Sequence, residues 1–460
     1  MARAKAAGGG VTDISSVIDA GAWSTYQIAA VVIAALAIIL DGFANQALAL
    51  SIPMMVKMWH VTRDDFRWVQ VIGYAGQMIG TIAFGMVGDR IGRRPTLLLC
   101  VLLFAVPTIA IAFTSNVGPL YPLRLIGGLG LGGCMPNAAA LLAELTPRRY
   151  RPMAVTSGIV GIPLGGTIGG YIATFVPAEQ WSNLYLIAGL VPVAIAVIMF
   201  FALPESPRYM AVRENRKADL VKLMARFGNP IDPNLPAVDS LDKPPQMKVG
   251  VGALFSKEYL RDTVGLWGAM FFTLLSVYGV INYLPAILGE AHYPGPMTGT
   301  GLFWFNVGGI FAALGGAATF NRFGSKLALG VLCVGAIGAS AWLYFIPLDP
   351  HASSTTLLAA LFLQGGFINA VQTTMYALAA FVYVTEMRGA GVGWAVGFGR
   401  IGSIVSPLVG SYVLDAAGPH AFFGCFGVTM CLSLLSLMMI RKHMPPKGAT
   451  IAAAVPALES

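Results

Sequence analysis

The sequence predicts an all-α membrane protein of twelve transmembrane helices in two six-helix bundles, and three observations carry that expectation. First, of 460 residues 56% are hydrophobic and only 11% are charged. A soluble protein carries about a quarter charged residues, so there is too little polar surface to cover a water-exposed globule. Second, a hydrocarbon core of ~30 Å needs ~20 apolar helical residues, and twelve segments qualify. Third, short polar signatures recur at equivalent places in the two halves.

The predicted spans are 26–55, 68–87, 96–114, 118–143, 153–176, 182–203, 263–288, 301–320, 327–346, 355–384, 390–414 and 421–440. The third and fourth form one apolar stretch, which "TSNVGPLYP" splits at its turn residues. Runs this long and unalternating are helices rather than barrel strands. Residues 204–262 form the long polar insertion between spans six and seven. There "RENRKADLVKLMARFG" is a basic amphipathic pattern, read as a short surface helix, and the Pro-rich "NPIDPNLPAVDSLDKPP" is read as an irregular linker. The expected organisation is an N-terminal segment (1–25), a first bundle (26–203), the linker (204–262), a second bundle (263–440) and a tail (441–460).

Charge sets the expected orientation. With both termini in the cytoplasm, 24 of the 29 Lys and Arg residues fall on the cytoplasmic side, as the positive-inside rule demands. Lys57, Arg63 and Arg67 face out, while Arg124 and Arg400 lie within spans. The net charge of +8 therefore reports topology rather than nucleic-acid binding, because the basic residues sit in the gaps between apolar runs. The N-terminus shows no apolar core and cleavage site of a signal peptide, so none is expected to be removed. Cys100, Cys134, Cys333, Cys425 and Cys431 all fall in apolar spans without metal-site spacing; packing thiols are expected.

The internal repeats suggest a transport plan. The loop after span two reads "GMVGDRIGRRP" and the loop after span eight reads "ATFNRFGSK". Span four ends "AELTPRRYR" and span ten ends "VYVTEMRG". Parallel repeats with a site between them at mid-membrane are a secondary-transporter architecture. In the first loop the glycines (Gly85 and Gly92 among them) permit a tight turn, so that Asp89 can reach neighbouring helix ends and arginines such as Arg90 and Arg93. A latch between the halves that breaks and reforms in each cycle is expected there. The plainer alternative is a simple positive-inside loop.

These motifs resemble those of the major facilitator superfamily, as do "RLIGGLGLGG" in span four and "PESPR" after span six. The segment "GGFINAVQTTMYALAAFVYVTEMRGAGVGWAVGFGRIGSIVSP", with "LDGF" in span one and "NYLPAIL" in span seven, resembles the aromatic acid:proton symporter family over essentially the whole chain. The resemblance implies the major facilitator fold, import of small aromatic carboxylates driven by protons, and residence in a bacterial-type inner membrane. It carries the family's arginine in span four onto Arg124 and its loop acid onto Asp89. In that family the span-one motif reads D-G-F-D. Asp41 matches its first acid, whereas Ala44 stands where the second is expected, one turn further on the same helix face. Two acids there would titrate as a coupled pair. The chain therefore either runs on Asp41 alone or is a variant truncated to stall the cycle, the second being the expectation. Asn321 stands where the C-terminal loop often carries an acid, which predicts a weaker latch in that half.

Within the spans, ionisable groups are few. Burial disfavours a charged carboxylate and a nearby cation favours it, so Asp41 is placed to load and release a proton as its surroundings change; a permanently paired structural acid is the alternative. Arg124 offers a guanidinium fork matched to a carboxylate, either the substrate's or that of Asp41, against a role in helix packing. Arg400 is read either as a partner of the inner gate or as a substrate contact. Glu144 and Glu386 are expected in ion pairs near the ends of spans with Arg148, Arg149 and Arg388, and Arg322 belongs to the second-half loop. An aromatic anion also needs ring faces and polar donors. Candidates are Tyr74, Gln77, Asn137, Asn282, Tyr283, Asn306, Asn369, Gln372, Tyr376, Trp394 and Phe398. The stripe Asn369, Gln372 and Tyr376 in span ten is the best expected wall, although each residue alone is more often helix-packing glue.

No metal or organic cofactor is expected, only the proton as coupling ion, and the carrier is expected to be monomeric. A transporter of another organic ion or of a sugar, or a non-transporting sensor of aromatic acids, are the competing readings. An enzyme finds no support, since there is no phosphate loop, metal cluster or nucleophile–base pair.

Overall fold

Each long apolar run folds into a helix, because in lipid every backbone N–H and C=O must find its partner within the segment. A computed structural model describes residues 11–239, 251–351, 354–383 and 385–446, without the side chains of 251, 317, 318, 320, 321, 385, 386 and 388–390. A short helix α1 (Ile14–Ala20) precedes the first six spans, which are α2 (Thr25–Trp59), α3 (Arg67–Ile91), α4 (Arg93–Ile111), α5 (Leu120–Leu145), α6 (Arg151–Ala173) and α7 (Trp181–Ala202). Two short helices, α8 (Pro207–Ala211) and α9 (Lys217–Arg226), begin the linker. The second half holds α10 (Leu260–Glu290), α11 (Gly295–Phe323), α12 (Ser325–Phe345), α13 (Ser354–Val382) and α14 (Thr385–Met439).

The last of these carries two spans. Straight, its 55 residues would run ~80 Å, far more than the bilayer core. The chain instead turns at Gly418, where φ is 78°, a left-handed conformation that glycine adopts at little cost. Pro419, lacking an N–H, follows at once. The two arms pack together, with Gly410 of the first lying against Phe422 of the second. The twelve spans are thus those expected, except that only this tight kink separates the last two.

Close helix contact in the first half depends on small residues. A Cβ at Gly128 would lie 2.2 Å from the Gly73 carbonyl oxygen, and one at Gly132 would lie 2.0 Å from that of Gln77. These glycines let α5 approach α3 backbone to backbone, which places Arg124, Gln77 and Tyr74 beside one another. Gly170 of α6 and Gly299 of α11 make the same close approach between the halves.

The linker begins as expected, with α9 burying Leu220, Leu223 and Met224. The segment between α9 and Asp239 is less irregular than its prolines suggest. Strand β2 (Ala237–Val238) pairs in parallel with β1 (Thr12–Asp13), and Ser15 Oγ donates to Asp239. The linker and the N-terminal segment are therefore tied together.

Candidate functional site

Polar side chains are concentrated where the two halves meet in the middle of the spans. Among the described residues, the buried ionic groups there are Asp41, Arg124 and Arg400, exposed by 7%, 8% and 8%. The other two buried acids, Asp239 and Asp262, lie in the linker and in the first turn of α10.

Arg400, on the first arm of α14, donates from Nη1 to Gln77 Oε1 at 3.0 Å and to the Tyr278 hydroxyl at 3.1 Å. Gln77 Nε2 in turn donates to Asn45 Oδ1 at 3.0 Å. This relay runs from the second half into α2 and ends one helical turn from Asp41. Arg400 is also the cation that acts on Asp41 through space, without forming an ion pair with it. Ala44 packs in the apolar core of the first half, whereas its neighbour Asn45 faces the polar middle.

Arg124 is placed differently. The Tyr185 hydroxyl lies beside it and shares a hydrogen bond with Ser51 Oγ at 3.0 Å. Among the described residues, its Nε and Nη2 nitrogens have no acceptor and no carboxylate pairs with it. Arg124 lines a cavity of about 20 Å³ together with Asn45, Gln70, Tyr74, Gln77 and Asn282. Gln70 Oε1 and Asn282 Nδ2 are likewise buried without partners. Three polar residues with unused hydrogen-bonding capacity thus surround one small space. The Tyr74 hydroxyl donates to Asn282 Oδ1 at 2.8 Å, and its ring stands edge-on to Tyr278 at 4.9 Å.

A neighbouring cavity of about 40 Å³ is lined by Asn45, Gln46, Tyr278, Asn306, Asn369, Gln372, Thr373 and Tyr376. Gln46 and Asn306 exchange amide hydrogen bonds of 3.1 and 2.9 Å across the halves. Asn369, Gln372 and Tyr376 of α13 thus line one cavity together. Both cavities are water-sized and smaller than an aromatic ring, and Asn45 and the Tyr74–Tyr278 pair stand between them. A larger, mainly apolar cavity of about 420 Å³ opens beside Arg63, Lys57 and Glu290. Neither intramembrane arginine lines it, and its Arg63 and Glu290 are already bonded to each other.

Several expected site residues lie elsewhere. Asn137 donates to the carbonyls of Phe84 and Gly133 at 3.0 and 2.8 Å, holding α3 to α5 where its side chain lies against Gly88. The Tyr283 hydroxyl donates to the Pro407 carbonyl at 2.6 Å, and the Arg63 guanidinium lies over its ring, so it belongs to the end of the bundle that carries Arg63. Trp394 and Phe398 stack on Trp267, outside both polar cavities. Conversely, Asn45, Gln46, Gln70, Tyr185 and Tyr278 belong to the site without being among the residues expected from sequence. Asn45 and Gln46 come shortly after Asp41 in "DGFANQ", and that run of polar residues in an apolar span is the signal that could have found them.

Among the described residues, the expected latch bonds to its own half and to the linker. Asp89 pairs with Arg93 at 2.5 Å, and Arg93 lies 3.8 Å from Glu144, to which Ser206 Oγ also donates. Glu205 accepts from the backbone N–H groups of Arg93 and Arg94 at 3.0 and 3.2 Å; burial still pushes its carboxyl above the usual range. The Arg90 carbonyl receives Arg213 at 2.6 Å. Gly92, with φ 111°, makes the turn, and nothing crowds Gly85. Exposed Arg322 lies over Phe323. The side chains of Asn321, Glu386 and Arg388 lie outside the described residues.

Direct bonds between the halves occur instead at mid-membrane and at the opposite end. There Arg63 pairs with Glu290 at 2.7 Å and also with Asp415. Asp64 accepts from Ser411, and Arg67 reaches the same hydroxyl at 3.5 Å. The bundle is therefore fastened at the Arg63 end. At the Gly92 end, no hydrogen bond or ion pair joins the span ends of the two halves among the described residues.

A sequence profile of the Major Facilitator Superfamily matches residues 34–353 and 266–458. The 4-hydroxybenzoate transporter of Pseudomonas aeruginosa is 34% identical over 416 residues, covering 87% of this chain and 89% of that protein. The gallate transporter of Pseudomonas putida is 30% identical, covering 93% of this chain and 94% of its own. Among solved structures, the inward-open xylose transporter of E. coli superposes with a TM-score of 0.72 at 17% identity, covering 93% of this chain and 98% of that one.

Proposed function

The chain belongs to the Major Facilitator Superfamily, a family of transporters rather than enzymes, and from that premise we propose that it carries small aromatic carboxylates across a bacterial inner membrane by alternating access. The observation that supports this substrate class is Arg124. A guanidinium buried in lipid-spanning helices is costly unless an anion accompanies it, and two of its nitrogens have no acceptor among the described residues. A carboxylate matches that fork. The relatives named for 4-hydroxybenzoate and gallate point to an aromatic ring behind it, and the amide wall of α13 with Asn306 and Gln46 offers partners for ring hydroxyls.

In this mechanism Asp41 carries the coupling proton, and the relay of Arg400, Gln77 and Asn45 tells it which half-site is formed. Both termini lie in the cytoplasm, as the excess of basic residues in the loops on that side requires, so the Arg63 end faces outward. Substrate reaches Arg124 when the ion pairs of Arg63 open. Breaking the Tyr74–Asn282 bond then joins the two small cavities into a space for a ring.

Titration of the purified protein with 4-hydroxybenzoate, gallate and benzoate tests the reading. We expect binding of at least one, weakened tenfold or more by Arg124→Ala and in part restored by Arg124→Lys. Unchanged affinity in Arg124→Ala, or no binding across the panel, removes this function.

A further inference from the structure

We propose that this carrier exchanges carboxylate for carboxylate faster than it performs net uptake, an inference that rests on the anion-transport reading above. It follows from the charge held in the middle of the spans. Among the described residues that charge consists of Arg124, Arg400 and Asp41, while tyrosines and amides supply the remaining polar groups. Arg400 has Asp41 within electrostatic reach and two neutral acceptors. Arg124 has a tyrosine hydroxyl and no carboxylate.

The balance can be followed through each half of the cycle. The empty carrier with Asp41 ionised holds two cations and one anion, an excess of one positive charge. A bound carboxylate beside Arg124 brings the sum to zero. If Asp41 is protonated at the same time, the excess returns. A carrier passing between its open states closes over its site and excludes water, and an unbalanced charge is costly there. The loaded carrier with ionised Asp41 is the balanced form, and it is the form that moves in both directions during exchange. Net proton-linked uptake instead moves one uncompensated charge in each direction, loaded inward and empty outward.

Residue 44 is the natural point of adjustment. Ala44 lies one turn from Asp41 and is buried. A carboxylate there would balance the empty carrier and leave the proton-loaded complex neutral as well. Ala44→Asp should therefore shift the protein from exchange toward proton-linked net uptake.

The test uses the full chain in proteoliposomes and measures initial uptake of labelled 4-hydroxybenzoate. Vesicles preloaded with the unlabelled acid are compared with vesicles holding potassium sulfate of equal ionic strength. We expect uptake five- to twentyfold faster into preloaded vesicles, unaffected by a protonophore. Ala44→Asp should bring the ratio close to one and make uptake into acid-free vesicles sensitive to the protonophore. Ala44→Asn adds the same bulk without charge and should keep the parent's ratio. Equal rates into both kinds of vesicle overturn the exchange proposal while leaving carboxylate transport standing. A ratio that collapses equally in Ala44→Asn overturns the charge-balance cause. Absence of uptake and of binding together overturns the underlying function, and this proposal with it.

Discussion

Arg400 and Gln77 meet from opposite halves of the molecule, and their single bond of 3.0 Å couples a buried cation to α3, which lies beside the helix that carries Asp41. Gln77 has both ends engaged, since its Nε2 reaches Asn45. Replacing it by leucine keeps the bulk but leaves a buried guanidinium and a buried amide short of partners, which costs about 1–3 kcal/mol per group. We expect Gln77→Leu to lower substrate affinity or transport about tenfold or more with little change in amount of folded protein, measured by titration and by elution on gel filtration. Equal affinity would show that the relay is only a packing contact. Sequence made Asp41, Arg124 and Arg400 visible, because a charge in an apolar run stands out. It could not sort the neutral polar residues. Asn137 and Gln77 look alike in sequence, but Asn137 is bonded to two backbone carbonyls beside Gly88 and Gln77 faces the middle.

At the scale of elements, α3 and α5 place the site through glycines. With the Gln77 carbonyl 2.0 Å from a Cβ at Gly132, a leucine there cannot fit unless the helices part. Overpacking of this kind costs about 1–3 kcal/mol, and backbone contact leaves little means of relief. Gly132→Leu should therefore lower the melting temperature in detergent by several degrees and displace Arg124 from Tyr74, so that substrate affinity falls too. The even spacing of these glycines could be read in the sequence. That Gly130 instead faces α4, where a Cβ would lie 2.6 Å from the Cys100 carbonyl, could not, because a helix face acquires meaning only from its neighbour. The break between the last two spans is a similar case. "DAAGPH" announces a turn, but only the backbone shows that the turn is made at one residue with φ 78°.

For the whole molecule, the distribution of bonds between halves defines the state. Among the described residues they gather at mid-membrane and at the Arg63 end, and the Asp89 segment at the other end bonds to its own half and to the linker. The two acids that hold Arg63 are 55% and 45% exposed, so solvent screening keeps the pair small, roughly 1 kcal/mol in all. Arg63→Ala should therefore shift the balance of states about fivefold toward opening at that end. Distances between spin labels placed on α2 and α10 near Arg63 would report it; unchanged populations would show that the Gly170–Gly299 contact holds this end closed by itself.

The sequence by itself determined that the chain spans the membrane twelve times, that it repeats in two halves and that a few charges are buried between them. Each of these follows from composition and spacing, because lipid leaves an apolar chain little choice but helices. The tertiary structure alone decided which end is fastened, which amides face the cavities and, among the described residues, that no bond joins the latch segment to the other half and no carboxylate pairs with Arg124. Those depend on contacts between residues as many as 352 positions apart, set by how two bundles lean on each other, and no local pattern in the chain encodes that angle.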